Sequence, residues 1–199
     1  MLHNEAVEYD YIFKKRIMDV VIGGLIIVVA LLPMLLTALY IRLTSKGPAI
    51  YWSKRVGLNN QLFLMPKFRT MYVDTPQVAT HLLSNAKDYI IVGGTMIRRL
   101  SLDELPQLYS VLIGDMSLVG PRPALYNQDD LIALRTERGI HSLKPGVTGW
   151  AQINGRDELS ISKKVEVDEY YLKNQSLALD LKIILKTIEK VLGMKGVSH

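Results

Sequence analysis

No cysteine occurs among the 199 residues. That excludes a disulfide framework, a thiolate nucleophile and a cysteine-ligated zinc site. Histidine is scarce, and His81 has no second histidine at metal-ligand spacing, so it reads as a surface residue. There is no internal repeat, P-loop, dinucleotide fingerprint, zinc pattern or nucleophile elbow. What remains is a basic chain of one-domain length, net charge +5. Such a balance points to anionic partners: lipid head groups, nucleic acid or phosphorylated substrates.

Mean hydropathy is slightly positive although 22% of the residues are charged, so one segment must be unusually apolar. That segment is 20–41, VVIGGLIIVVALLPMLLTALYI, which carries no charge and has the roughly 20 residues needed to cross a bilayer. It is too long for a signal peptide and no small-residue cleavage site follows. Pro33 sits in its middle, where it removes a helix hydrogen bond. Lys14, Lys15 and Arg16 flank one end, and Arg42, Lys46, Lys54 and Arg55 the other, so charge sets no orientation. Two readings follow: a straight or proline-kinked span, or a helix that bends at Pro33 and returns to the side it entered. The lysines of 11–19 would then snorkel at head-group level, and residues 1–10 would be a frayed end.

Beyond Gly47-Pro48, the runs 49–55 and 62–72 read as a hairpin around the turn residues Gly57, Asn59 and Asn60. Pro66 demotes the second strand to an edge. Lys67 and Arg69, two apart, would share one face, as a solvated basic edge or as phosphate contacts. Residues 73–88 read as a loop or short helix, 125–138 as a polar helix, and 157–173 as a helix bearing Glu166, Asp168 and Glu169. Leu177–Leu192 is amphipathic. Its stripe of Leu177, Leu181, Ile184, Leu185, Ile188, Val191 and Leu192 is core or lipid-facing, and Lys182, Lys186 and Lys190 form a solvated or lipid-resting face.

The densest chemistry lies in 98–123, RRLSLDELPQLYSVLIGDMSLVGPRP. Asp103 and Glu104 stand between Arg98 and Arg99 on one side and Arg122 on the other. Carboxylates beside guanidinium groups suit a phosphate and a divalent cation. The bland reading is a capping box, Ser101 and Glu104 satisfying the first N–H groups of a helix. In that geometry the helix dipole and the arginines would keep Asp103 ionised. Pro121 and Pro123 limit the directions open to Arg122, which suits bidentate phosphate binding or an ordinary proline-rich loop. The glycine-rich stretch 144–156 offers Trp150, Gln152, Asn154 and Arg156 as a stacking surface and donors.

In order along the chain, the basic-flanked apolar helix with its proline, KFRTM at 67–71, LSLDELPQL at 100–108, GDMS at 114–117, GPRP at 120–123, KPGVTG at 144–149 and NGR at 154–156 resemble the bacterial sugar transferase family, the small monotopic phosphoglycosyl transferases in their minimal form. The family often has Ser-Pro at the helix bend; this chain has Leu32-Pro33. The resemblance implies an α+β, helix-rich single domain over 1–199. A re-entrant membrane helix at 12–43 and a catalytic part at 44–199 would hold a short β-hairpin and interfacial amphipathic helices around a cytoplasmic active site. It implies transfer of a phosphosugar from a UDP-sugar to polyprenol phosphate with release of UMP. The cell site would be the cytoplasmic face of the bacterial inner membrane, as the first membrane step of surface glycan or glycoprotein assembly. It also implies a covalent aspartyl phosphosugar on Asp103, with Glu104 as Mg²⁺ ligand. Lys67, Arg69, Arg98, Arg122, Arg156 and Asp168 would be substrate contacts. The implied partners are UDP-sugar, polyprenol phosphate and membrane lipid, not nucleic acid, with room for an oligomer. The 150–156 segment looks closer to members using N-acetylated amino sugars.

Overall fold

The longest element is a helix, α1 (Leu2–Thr44). The structure is a computed structural model, and it describes residues 2–76, 86–155 and 159–193. Leucine, isoleucine, valine and alanine carry α1 without interruption through Pro33, and the Thr37 hydroxyl donates to the Pro33 carbonyl at 2.8 Å. The helix reaches back to Leu2, through the segment expected to fray. It has the length and apolar character to cross a membrane.

One flank of α1 docks on the rest of the protein along its length. Ile22, Ile26 and Ile27 pack against a core of Met65, Leu108, Val111 and Met116. Met34, Ala38 and Ile41 pack against a second core of Phe68, Ile91 and Ile97. The other flank leaves Val21, Leu25, Val28, Leu32 and Leu36 exposed. Polar contacts lock the docking. Asp19, buried, accepts from the Leu118 N–H at 2.9 Å. Lys15 and Tyr11 both donate to the buried Asp180, at 2.8 and 3.0 Å. Arg16 donates to the Val111 and Leu112 carbonyls. Lys15 therefore does not snorkel as expected: the protein offers it a carboxylate, as it offers Arg16 two helix-end carbonyls, and these satisfy their donors better than an apolar flank could.

The expected hairpin forms from β1 (Ile50–Val56) and β2 (Leu62–Phe68), antiparallel, with Pro66 opposite Trp52. Asn59 and Asn60 take positive φ in the turn, a conformation asparagine tolerates. A second sheet, absent from the sequence reading, pairs β3 (Ser117–Val119) with β4 (Gly146–Thr148) in parallel. Each strand has three residues, too few for alternation to register. Close backbone approach explains the glycines there: a Cβ on Gly146 would lie 2.1 Å from the Gly120 nitrogen.

Short helices fill the remainder. These are α2 (Gly94–Arg99), α3 (Leu108–Ile113), α4 (Asp129–Glu137), α5 (Trp150–Ile153), α6 (Ile161–Lys173) and α7 (Leu177–Leu192). A 3₁₀ segment, Leu102–Gln107, runs straight into α3. Ser160 and Ser176 cap α6 and α7 by accepting from Lys163 and Leu179 N–H groups. On α7 the apolar stripe expected as core or lipid-facing is mostly exposed, and the buried side is a different one. Ile183, outside that stripe, is the fully buried residue, while Leu181, Leu185 and Ile188 are exposed. Asp180 shares the buried side, so the core face is partly polar and leucine spacing alone did not reveal it.

Candidate active site

Three segments converge on the acidic pair: the end of β2, the 3₁₀ segment and the loop after β3. Glu104 Oε1 accepts from Lys67 Nζ at 2.9 Å and from Arg122 Nη2 at 2.7 Å. Both ion pairs are largely shielded from solvent. Arg98, at the end of α2, donates to the Thr70 hydroxyl at 2.8 Å and acts electrostatically on Asp103. The carboxyl of Asp103 is buried, and its Oδ1 has no hydrogen-bond partner among the described residues.

The capping box does not form. Ser101 lies in the left-handed region at φ 54° and its side chain caps nothing. Glu104 is held instead by Lys67 and Arg122, two charge-assisted contacts against one neutral N–H. The electrostatics split the two carboxyls. Burial raises the Glu104 carboxyl, but Arg122 and Lys67 outweigh it and hold the group well below the usual carboxylate range. Burial, and then the Glu104 charge, push Asp103 up to about 6 against the pull of Lys67, Arg98 and Arg122. The expectation that Asp103 would be held low is thus reversed. Its cause is desolvation plus a like charge on the next residue, which outweigh the cations.

The remaining candidates sit apart. Arg69 follows the end of β2, and its guanidinium turns away from the pair: Nε donates to the Pro48 carbonyl at 2.7 Å and Nη1 to the Ser45 hydroxyl at 2.8 Å. It ties the hairpin to the end of α1. Asp168, on α6, is buried and joined to Arg135 of α4, which donates to its Oδ2 from Nε at 3.1 Å and Nη2 at 2.6 Å. Arg135 in turn donates to the Arg122 carbonyl at 2.8 Å. Asp168 is therefore linked to the acidic pair only through other residues among these contacts. Arg156 and His81 lie outside the described residues.

Sequence reading missed Arg55 and Arg135. Arg55, read as a flanking charge, donates to the Pro123 carbonyl at 3.2 Å. Burial, and then the Arg122 charge, push its guanidinium down to about 10. Arg135 stood in a helix read only as polar. Neither carried a local signal, since what marks them is a main-chain carbonyl brought close by folding.

A cavity of about 30 Å³ lies behind Arg122, lined by Val56, Arg135 and Leu143 among others. That suits a single water, not a nucleotide, and neither acidic residue lines it. A hard divalent cation such as Mg²⁺ takes one or two carboxylates and completes its shell with water and substrate phosphates. Among the described residues no group of three acidic or histidine side chains could hold a metal alone. Two adjacent carboxylates, one with an unpartnered buried oxygen, fit a cation that the substrate itself finishes coordinating.

The family profile described as Bacterial sugar transferase matches residues 10–194. The chain is 41% identical to the uncharacterized sugar transferase EpsL of Bacillus subtilis, over 93% of this chain and 90% of that protein. It is 41% identical to an undecaprenyl-phosphate glucose phosphotransferase of Komagataeibacter xylinus, over 92% of this chain and 36% of that protein. It is 38% identical to a UDP-N-acetylgalactosamine-undecaprenyl-phosphate N-acetylgalactosaminephosphotransferase of Aeromonas hydrophila, over 92% and 44% respectively. It thus spans nearly all of EpsL and less than half of the other two.

Proposed function

The chain belongs to the bacterial sugar transferase family, and on that premise we propose that it is a phosphoglycosyl transferase moving a phosphosugar from a UDP-sugar to a polyprenol phosphate. The observation that carries this reading is the split pair: a buried, part-desolvated Asp103 next to a Glu104 held ionised by two cations. An Asp103 oxygen attacks the β-phosphorus of the donor. The bond from that phosphorus to the bridging oxygen breaks, and UMP leaves with the electron pair. The polyprenol phosphate oxygen then attacks the same phosphorus, and the Asp103 carboxylate is regenerated. Lys67, Arg98 and Arg122 hold phosphate oxygens in both displacements, with Arg156 as a nucleotide contact. Splitting the transfer lets two unlike substrates use one site in turn. Glu104, with Asp103 beside it, would hold Mg²⁺. When bound, the ion would neutralise the phosphate oxygens. Relatives named for glucose, galactose and N-acetylgalactosamine phosphotransfer match at similar identity. Within that range we favour an N-acetylated amino sugar as donor.

We further infer that α1 is re-entrant and that the catalytic part lies on the cytoplasmic face of the bacterial inner membrane, the protein contributing the first membrane step of glycan assembly. Support comes from the docking of α1. Its N-terminal part is tied to Asp180 and Leu118, and its C-terminal part packs on Phe68 and Ile97 of the same body. The helix is continuous through Pro33, so re-entry rests on both of its ends docking on the same body and not on a break at the proline.

UMP release by the purified protein with Mg²⁺, a polyprenol phosphate and a panel of UDP-sugars, comparing wild type with Asp103→Asn, tests the chemistry. Release by the wild type alone establishes the transferase and names the sugar. Equal release by both removes Asp103 as nucleophile. Single cysteines introduced at Glu5 and Lys46 test the topology: labelling from opposite faces would refute re-entry.

A further inference from the structure

The loop that carries Arg122 is held by its own carbonyls. The Pro121 carbonyl accepts from the Gly146 N–H at 2.9 Å and the Ala124 carbonyl from the Val56 N–H at 3.0 Å. Between them, the Arg122 and Pro123 carbonyls accept from guanidinium groups, Arg135 at 2.8 Å and Arg55 at 3.2 Å. The two prolines fix φ on either side of Arg122, but the peptide plane of Arg122 itself is set by what its carbonyl bonds to. Arg135 reaches that carbonyl with Nη1 because Asp168, almost wholly buried, takes Nε and Nη2. The planar fork lets one side chain serve α6 and the loop together, which a lysine point charge cannot do with the same directions.

We propose that Arg135, anchored by Asp168, is a positioning residue for the transfer reaction: it acts through Arg122 by fixing the angle at which that guanidinium meets Glu104 and a substrate phosphate. This rests on the assignment of Arg122 to phosphate binding. It gives Asp168 a place in the reaction without contact to substrate, as the anchor of the anchor.

The test is a double-mutant cycle on kcat and KM for the UDP-sugar. Arg135→Lys keeps the charge facing Asp168. The pair Arg135→Met with Asp168→Leu removes both charges, so the fold does not retain an unpaired one. Each is made with Arg122 intact and with Arg122→Lys. With Arg122 intact, both changes should lower kcat/KM about tenfold or more. In the Arg122→Lys background they should cost about twofold or less. A purely structural role would lower activity equally in both backgrounds, and that result, or no loss with Arg122 intact, overturns the proposal. If the wild type turns over no UDP-sugar, the phosphoglycosyl transferase reading fails by itself. The positioning relation is then read from the Arg122 Nε–Hε resonance in ¹⁵N-arginine-labelled protein. Arg135→Lys should shift it, and Arg138→Lys, at an exposed pair with Glu169, should not. An unmoved resonance in Arg135→Lys overturns the proposal.

Discussion

Arg122 donates to Glu104 across 2.7 Å, and that contact takes the carboxylate away from the backbone of Ser101. The Ser-x-x-Glu pattern reads as a helix cap, yet the helix there is 3₁₀ and Ser101 is left-handed. Ser101→Gly should therefore stabilise by up to about 1 kcal/mol, where replacing a working cap by glycine would cost roughly a few tenths of a kcal/mol. Thermal melting separates the two, and a clear fall in Tm would restore the cap.

Lys67 and Arg69 stand two apart and do different work. Lys67→Met should remove most turnover, because it strips one of the two cations from Glu104. Arg69→Met should leave KM for the UDP-sugar within about twofold and cost about 1–3 kcal/mol of stability, since its donors serve Ser45 and the Pro48 carbonyl. A large KM rise with unchanged Tm in Arg69→Met would make it a substrate contact.

As the proposed nucleophile Asp103 has to be ionised, and its carboxyl is pushed up to about 6. The acid limb of kcat/KM should therefore fall near pH 6 instead of near 4. The sign for stability is the opposite of a salt-bridged aspartate. Between about pH 4 and pH 6 the folded protein holds a proton that the unfolded chain has lost, so this group's contribution declines as pH rises through that window. Glu104, held low, works the other way, its contribution being lost only in stronger acid. Asp-selective ¹³C NMR of the carboxyl group reads Asp103 directly, and a midpoint near 4 would refute the assignment.

Asp180 holds Tyr11, Lys15 and Tyr171 together. Asp180→Ala leaves the Lys15 ammonium without its carboxylate in a shielded place, and should cost about 3–5 kcal/mol. Tyr171→Phe, which removes one donor to Asp180, should cost about 1 kcal/mol. Equal small effects would mean that the docking of α1 does not depend on this network.

Leu185 and Ile188 of α7 are exposed, as are Val21, Leu25 and Val28 of α1. Leu185→Asp should leave Tm within about 1 °C, as a change at an exposed site. In a variant lacking residues 1–43 that still folds, or in full-length protein by salt-wash extraction from vesicles, it should weaken membrane retention. Unchanged retention would make the face merely solvent-exposed.

The order of motifs, the apolar run, the hairpin and the helix at 177–192 were legible in the sequence because each is a local property: hydropathy, turn chemistry and periodicity act over a few residues. The resemblance drawn from the same motifs pointed to the family, which the profile and the relatives bear out. The local rule also misled. A capping box and an aspartate held low were reasonable from Ser101 to Glu104; the cap fails because Lys67 and Arg122, 37 and 18 residues away, arrive at Glu104. Burial then reverses the expected shift of Asp103. Arg55, Arg135 and the Asp180 network were invisible for the same reason, since their partners come from distant segments, as in Tyr11 with Asp180, 169 residues apart. The chemistry-bearing residues were thus written into the chain, whereas their charge states and aim depend on which groups share a dry interior, a relation that exists only after folding.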